Sequence, residues 1–257
     1  YYIWDMKKLI YLLLLLLFIP LVSVGQGVAE YIKSASVNEN LENYESAIID
    51  YSKAIVLSPK KAFLFIGRAV SRAQLEDYYG SISDYTKALE LNPKDVTIYI
   101  ARGIVKGQLN DYKGSIVDYN KAIEFNSNYI AAYEVRAFAK EKLQDFYGAI
   151  ADYTKCIELV PNYASHYNSI GLIKALLKDY SGALSSFEKA SKLNPNNYGY
   201  LQNIGQAKLN LDDIYGAIVY FTKSIEIKPS IAAYSLRAFA KYKLNDPLTF
   251  FNFEKII

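Results

Sequence analysis

From Val28 onward, apolar, small and polar positions return every 34 residues, and the spacing is marked by Pro59, Pro93, Pro161, Pro195 and Pro229, with Ser127 in the one slot that lacks proline. A fixed period of this length marks an array of small supersecondary units. The units run 28–61, 62–95, 96–129, 130–163, 164–197, 198–230 and a shortened 231–257, the sixth being one residue short at its end. The fourth position of each is large (Tyr31, Phe65, Tyr99, Tyr133, Tyr167, Leu201, Tyr234) and the eighth is small (Ala35, Ala69, Gly103, Ala137, Gly171, Gly205, Ala238). Positions four, seven, eight and eleven stand at i, i+3, i+4 and i+7, the spacing of one helical face, and predict a first helix. Position sixteen is always Asn or Asp (Asn43, Asp77, Asp111, Asp145, Asp179, Asp213, Asp246), a side chain able to accept from the free amides of a helix start. A second helix is predicted from there, small at positions twenty and twenty-seven and stopped by the proline at position thirty-two.

Small side chains let helix axes approach, and the aromatic residues beside them fill the space that opens further along. A leucine at Ala149 is expected to overpack such a contact, at a cost of roughly 1–3 kcal/mol. Two short helices cannot bury this surface alone, so each unit needs its neighbour and the units stack. The large-small-large pattern of the first helix, the Ala-aromatic-Ala pattern of the second and the closing proline resemble the tetratricopeptide repeat (TPR) over residues 28 to about 250. Among the small positions only Phe250 and Ile257 depart from that pattern, and tyrosine stands where the family often has tryptophan at position four. The resemblance implies an all-α fold of tandem helix-turn-helix TPR units stacked as a right-handed α-solenoid.

Arginine recurs at position seven (Arg68, Arg102, Arg136, Arg237) and aspartate at position twenty-three (Asp50, Asp84, Asp118, Asp152). Position twenty-three lies one turn before position twenty-seven, which in the resembled family faces the next unit. The expected pairs are therefore Asp50 with Arg68, Asp84 with Arg102 and Asp118 with Arg136, although occupancy alone fits pairing within a unit equally well. Exposed pairs of this kind contribute only about 0–1 kcal/mol each.

Charge narrows the range of partners. The 29 basic and 26 acidic residues are scattered without a run of either sign, so nucleic acid and anionic membrane surfaces are not expected partners. One cysteine and one histidine supply neither a disulfide nor a structural zinc site. At the N-terminus, Met6, Lys7 and Lys8 precede the apolar run LIYLLLLLLFIPLVSV and then Gly25 and Gln26. That order predicts a signal peptide over residues 1–25, with Met6 as the true start and the array over 26–257. Uncleaved, the segment would be a membrane anchor, the one route to a membrane. Either way the array is expected to be exported, to the periplasm or beyond a bacterial envelope.

The sequence offers no active site and no cofactor motif. His166 has no nucleophile motif to serve and reads as a surface or groove-edge residue. Cys156 fills a small repeat position and reads as a buried, inert thiol. Gly80, Gly114, Gly148, Gly182 and Gly216 stand one residue before position twenty without any phosphate-loop spacing, and read as close-approach residues. The carboxylates repeat with the unit, as capping or solvated-face residues do, and the chain is expected to be no enzyme.

A stacked array does present an extended concave surface. By resemblance, ligands lie along the first helices at positions two, five, nine, twelve and thirteen. These positions include Phe63, Ile66 and Val70 in the second unit, Ile100 and Ile104 in the third, and Glu134, Phe138 and Glu141 in the fourth. Asn168 and Leu172 follow in the fifth, Gln202 and Gln206 in the sixth, and Phe239 and Tyr242 in the seventh. In the fourth unit Glu134, Phe138, Glu141 and Lys142 do not recur as a set elsewhere. This mainly apolar lining suits an extended or helical peptide, whereas the Lys and Asn pattern of the family's chaperone-binding carboxylate clamp is missing. The expected function is an exported, non-enzymatic scaffold that binds a protein or peptide and supports an envelope complex. The alternative is the repeat region of a larger protein whose enzymatic or signalling domain lies outside this sequence. The last residues, Phe250, Phe251, Phe253, Ile256 and Ile257, are apolar where an array ends in a polar cap, and would form a self-association surface if the protein stops there.

Overall fold

The computed structural model describes residues 27–244, so the expected signal peptide, the Asp246 cap and the apolar C-terminal residues lie outside the described residues. The described residues form thirteen helices, six antiparallel pairs and the first helix of a seventh. The first helices are α1 (residues 27–40), α3 (Ala62–Gln74), α5 (Val96–Gln108), α7 (Ile130–Lys142), α9 (Ala164–Leu176), α11 (Tyr198–Asn210) and α13 (Ile231–Lys243). The second helices are α2 (Tyr44–Leu57), α4 (Tyr78–Leu91), α6 (Tyr112–Phe125), α8 (Phe146–Leu159), α10 (Tyr180–Leu193) and α12 (Ile214–Ile227). The chain divides into two compact units, 1–135 and 136–257, with the boundary inside α7.

Every described second helix opens on its expected cap. The side chains of Asn43, Asp77, Asp111, Asp145, Asp179 and Asp213 accept from the backbone N–H three residues on. Each such cap stabilises its helix by about 1 kcal/mol. In five of the six the amide belongs to a glycine, and a methyl added there would collide with the capping carboxylate. The close approach read for these glycines is therefore that of a side chain, where packing against another helix was the natural alternative.

The turn inside each pair is three residues long and contains a left-handed residue that is not glycine: Glu42, Glu76, Asn110, Gln144, Lys178 and Asp212, at φ between 57° and 62°. Such a residue costs roughly 1–2 kcal/mol, and hydrogen bonds on both sides offset it. At the α3–α4 turn the Glu76 amide donates to Ala73 O (3.1 Å) and the Asp77 amide to Arg72 O (2.9 Å). Asp77 thus closes one helix with its backbone and opens the next with its side chain.

The core sits between the two helices of a pair and the first helix of the pair that follows. In the first unit Phe65 and Ala69 from α3 pack with Tyr85 and Ala88 from α4 and with Ile98 and Val105 from α5. In the second unit Leu209 from α11, Ala217 and Phe221 from α12 and Ala240 from α13 form the equivalent cluster. The small positions twenty and twenty-seven are fully buried in all six pairs, Cys156 among them. The ring at position twenty-four fills the hollow left by a glycine at position eight, as Tyr119 does at Gly103, Phe187 at Gly171 and Phe221 at Gly205.

The ion pairs overturn the expected register. Arg68 meets Asp84 of its own pair through Nε (2.9 Å) and Nη2 (2.7 Å), and Arg102 meets Asp118 likewise at 3.0 and 2.6 Å. Arg136 meets Asp152 at 2.9 and 2.6 Å. Asp50, expected to meet Arg68, instead accepts from Ser34 Oγ (2.6 Å) and Asn38 Nδ2 (3.1 Å) on its own first helix. An antiparallel pair joined by a three-residue turn sets position seven opposite position twenty-three, sixteen residues on. A second cation one turn along completes each site: Arg72 on Asp84, Lys106 on Asp118 and Lys140 on Asp152, each at 2.8 Å. The arginines do reach the preceding pair, through Nη1, which donates to Ser52 Oγ from Arg68 (2.9 Å) and to Thr86 Oγ1 from Arg102 (3.0 Å).

Candidate functional site

Adjacent positions on the first helices have opposite fates. Position eight is sealed in the core, whereas the apolar residues of position nine are open, Gln206 alone being half-buried among repeats two to seven: in the first unit Val70 is 40% and Ile104 43% exposed. In the second unit the same position holds Phe138, Leu172 and Phe239, at 53%, 45% and 50%. Burial at position eight anchors the helix, so the large side chain beside it is presented to solvent by a backbone that cannot rotate it inward. Phe63, at position two, is half exposed as well.

The remaining candidate residues divide. Ile66 is half-buried against the α3–α5 core, and Ile100 lies within the core beside Ala122 and Ala132, away from any open face. Glu134 is half-buried. Glu141 is engaged within its own pair, where Oε1 accepts from the Tyr153 hydroxyl at 2.9 Å. Burial, and then this carboxylate, push the Tyr153 phenol above its ordinary range. Asn168 Oδ1 accepts from Asn203 Nδ2 at 2.8 Å, joining α9 to α11 in the second unit. Nearby on α11, Gln202 and Gln206 are half-buried, and Gln202 Nε2 is a buried donor with no hydrogen-bond partner among the described residues. Tyr242 is 69% exposed.

One cavity of about 370 Å³ adjoins a candidate residue in the first unit. It is lined by Ala73 and Gln74 at the end of α3, Glu76 in the turn, Tyr78 at the start of α4, and Ile104, Val105 and Gln108 on α5. Gln74 and Gln108 stand at position thirteen, which the candidate set left empty in these units. The signal that could have found them was present, since both follow their position-nine residue by one helical turn.

His166 lies neither at the surface nor on a groove edge. It is 3% exposed, with its ring 4.7 Å from that of Tyr163 and 6.2 Å from that of Tyr153. Position three is buried in four other repeats, as Leu64, Ile98, Ala132 and Ala233, and open only at Glu30 and in part at Tyr200, and His166 inherits that packing place. Among the described residues no group of three metal-ligating side chains comes together, and no helix is long and apolar enough to cross a membrane.

The tetratricopeptide repeat family profile matches residues 31–61, 66–95, 96–129, 130–163, 164–197 and 198–231. No curated protein matches the sequence. Among solved structures, the C-terminal part of a TPR repeat-containing protein from Cytophaga hutchinsonii is similar at 20% identity. That match covers 86% of this chain and 93% of that one with a TM-score of 0.74. A tetratricopeptide repeat protein from Parabacteroides merdae is similar at 17% identity, covering 90% and 92% with a TM-score of 0.68. YrrB, described as a TPR protein with an unusual peptide-binding site, is similar at 22% identity, covering 75% and 97% with a TM-score of 0.61.

Proposed function

Because the chain belongs to the tetratricopeptide repeat family, we propose that it is a non-enzymatic scaffold that holds a protein or peptide segment on the open faces of its first helices. The carrying observation is the exposed apolar residue at position nine, Val70 and Ile104 in one unit and Phe138, Leu172 and Phe239 in the other. Each stands beside a fully buried small residue, so the apolar surface is held in place before any ligand arrives and little ordering cost falls on the protein. The half-buried amide of Gln206 on α11 and the exposed amides of Gln74 and Gln108 beside the cavity provide donors and acceptors for a peptide backbone. YrrB, similar in fold, is described as having a peptide-binding site, which supports the same class of ligand here.

We further propose that the scaffold works after export, in assembly of a bacterial envelope complex. The support is the order of basic, apolar and small residues from Lys7 to Gly25. Nucleic acid has no counterpart in the scattered charge.

Selection of a displayed random-peptide library against the full chain tests the binding reading. Enriched peptides are expected to carry spaced apolar anchors, and the variant V70S/I104S to bind those that use the first unit about tenfold more weakly, roughly 1.4 kcal/mol. Absence of enrichment, or enrichment indifferent to substitution at every position-nine residue, would overturn it.

A further inference from the structure

Residues 130–143 and 231–244 are almost the same helix: they differ only as Glu134 and Ser235, Val135 and Leu236, and Glu141 and Tyr242. The scaffold does not require this. The first helix of the third repeat shares only Tyr99, Arg102, Lys106 and Leu109 with them and packs equally well. Two of the shared residues are exposed. Phe138 and Phe239 are 53% and 50% exposed. Lys142 and Lys243, one turn along, hold their ammonium groups over these rings at 5.0 and 5.7 Å from the centroids. Both belong to the second compact unit.

Lys189, Lys223 and Lys228 also stand over rings, but those belong to the half-buried Tyr167, Tyr220 and Tyr198, whereas the rings under Lys142 and Lys243 are exposed. Lys87, Lys121 and Lys155 each meet a glutamate three residues on, Glu90, Glu124 and Glu158, at 2.7 to 2.9 Å. Lys142 and Lys243 have no carboxylate partner among the described residues, and each stands over an open aromatic ring. The same element therefore occurs twice: an apolar platform with an unneutralised cation at its edge. An ammonium group in that setting attracts a carboxylate, and the ring attracts an apolar side chain next to it.

We propose that Phe138 with Lys142 and Phe239 with Lys243 are two subsites of one kind for acidic peptide segments in which an aromatic or aliphatic side chain neighbours a carboxylate, the second the tighter because Ser235 and Tyr242 stand there in place of Glu134 and Glu141. The proposal rests on the reading of the first-helix faces as a docking surface and adds the partner's charge and the doubling of the site. A partner bearing two such segments, tethered to one another, gains from both at once, because the second contact becomes intramolecular.

Calorimetric titration of the full chain with a blocked peptide carrying one phenylalanine between aspartates should saturate at two peptides per chain. Binding should weaken about tenfold on raising the salt from low to high ionic strength. The variants F138A/K142A and F239A/K243A should each saturate at one peptide, with thermal melting unchanged because the altered side chains are exposed. Saturation at two in both variants, equal affinity for a lysine-flanked peptide, or no binding at millimolar peptide would overturn the proposal. If library peptides that depend on Val70 and Ile104 still bind in that event, the docking reading stands and only the acidic, doubled partner is refuted.

Discussion

Repeats two to four and repeats five and six build the same helix pair with different interiors. In the former, a buried aspartate joins two cations and is followed by a tyrosine: Asp84 and Tyr85, Asp118 and Tyr119, Asp152 and Tyr153. In the latter, positions seven and twenty-three hold Ile170 and Ser186 in repeat five and Ile204 and Tyr220 in repeat six, followed by Phe187 and Phe221. Ser186 bonds back to Gly182 O of its own helix, and Lys208 turns to the cap Asp213 at 2.8 Å. Cap, turn and small positions are common to both groups. The contrast teaches that close packing at positions eight, twenty and twenty-seven is sufficient for the pair, and that the ion network adds register: Arg68 and Arg102 also bond a hydroxyl of the preceding repeat.

The largest expected effect comes from removing one charge from the polar interior. Asp118→Ala leaves Arg102 and Lys106 without their carboxylate at a site where the aspartate is only 1% exposed. It should cost about 3–5 kcal/mol in urea denaturation, whereas Ser186→Ala, at the same position of repeat five, should cost less than about 1 kcal/mol. A smaller effect comes from rebuilding one interior as the other. Adding Arg102→Ile to Asp118→Ser recreates the Ile170 and Ser186 arrangement with a lysine retained at position eleven, and should recover about 2 kcal/mol of the single variant's loss. Failure to recover would mean that the ion network is needed for packing, and the comparison would break.

The smallest effect is confined to alkaline pH. Burial pushes the Tyr119 phenol up to about 12, and burial followed by Glu39 does the same for Tyr51. Unfolded phenols ionise near pH 10. A folded pKa above the unfolded one gives a contribution that is whole below about pH 10 and is lost as pH rises to about 12. Thermal melting should therefore fall across that window, and Tyr119→Phe, which copies Phe187 and Phe221, should flatten part of the fall. An unchanged slope would show that ionisation of Tyr119 contributes nothing to the fall.

What could be read from the sequence follows from what repetition encodes. The caps, the small positions and the helix pairs were legible because each repeats at one place and has one physical use. The partner of Arg68 was not, because arginine and aspartate recur together in repeats two, three and four and either register satisfies that pattern. The antiparallel offset of sixteen residues, which fixes it, is a property of the turn. The turn itself was hidden: its left-handed residue is Glu76 or Lys178 as readily as Asn110, and no glycine announces it. His166 was misplaced because its chemistry was weighed alone, when the apolar column of Leu64, Ile98 and Ala132 already marked position three as interior. On the candidate surface, exposure separated Phe138 from Ile100, which are alike in hydropathy.

The left-handed turn has a consequence for where the chain can change length. Asp77 ends one helix and begins the next, so no residue can be added or removed there without parting those two roles, and all six described turns keep the same three residues. The junctions between repeats carry no such double duty, being four residues long up to Tyr163 and Asn197 but three, Lys228 to Ser230, before α13. The missing residue of the sixth repeat was thus lost where slack exists. Insertions, tags and grafted loops should be tolerated at residues 58–61 or 194–197 and rejected at 75–77, which makes the array a ruler with fixed graduations and adjustable gaps.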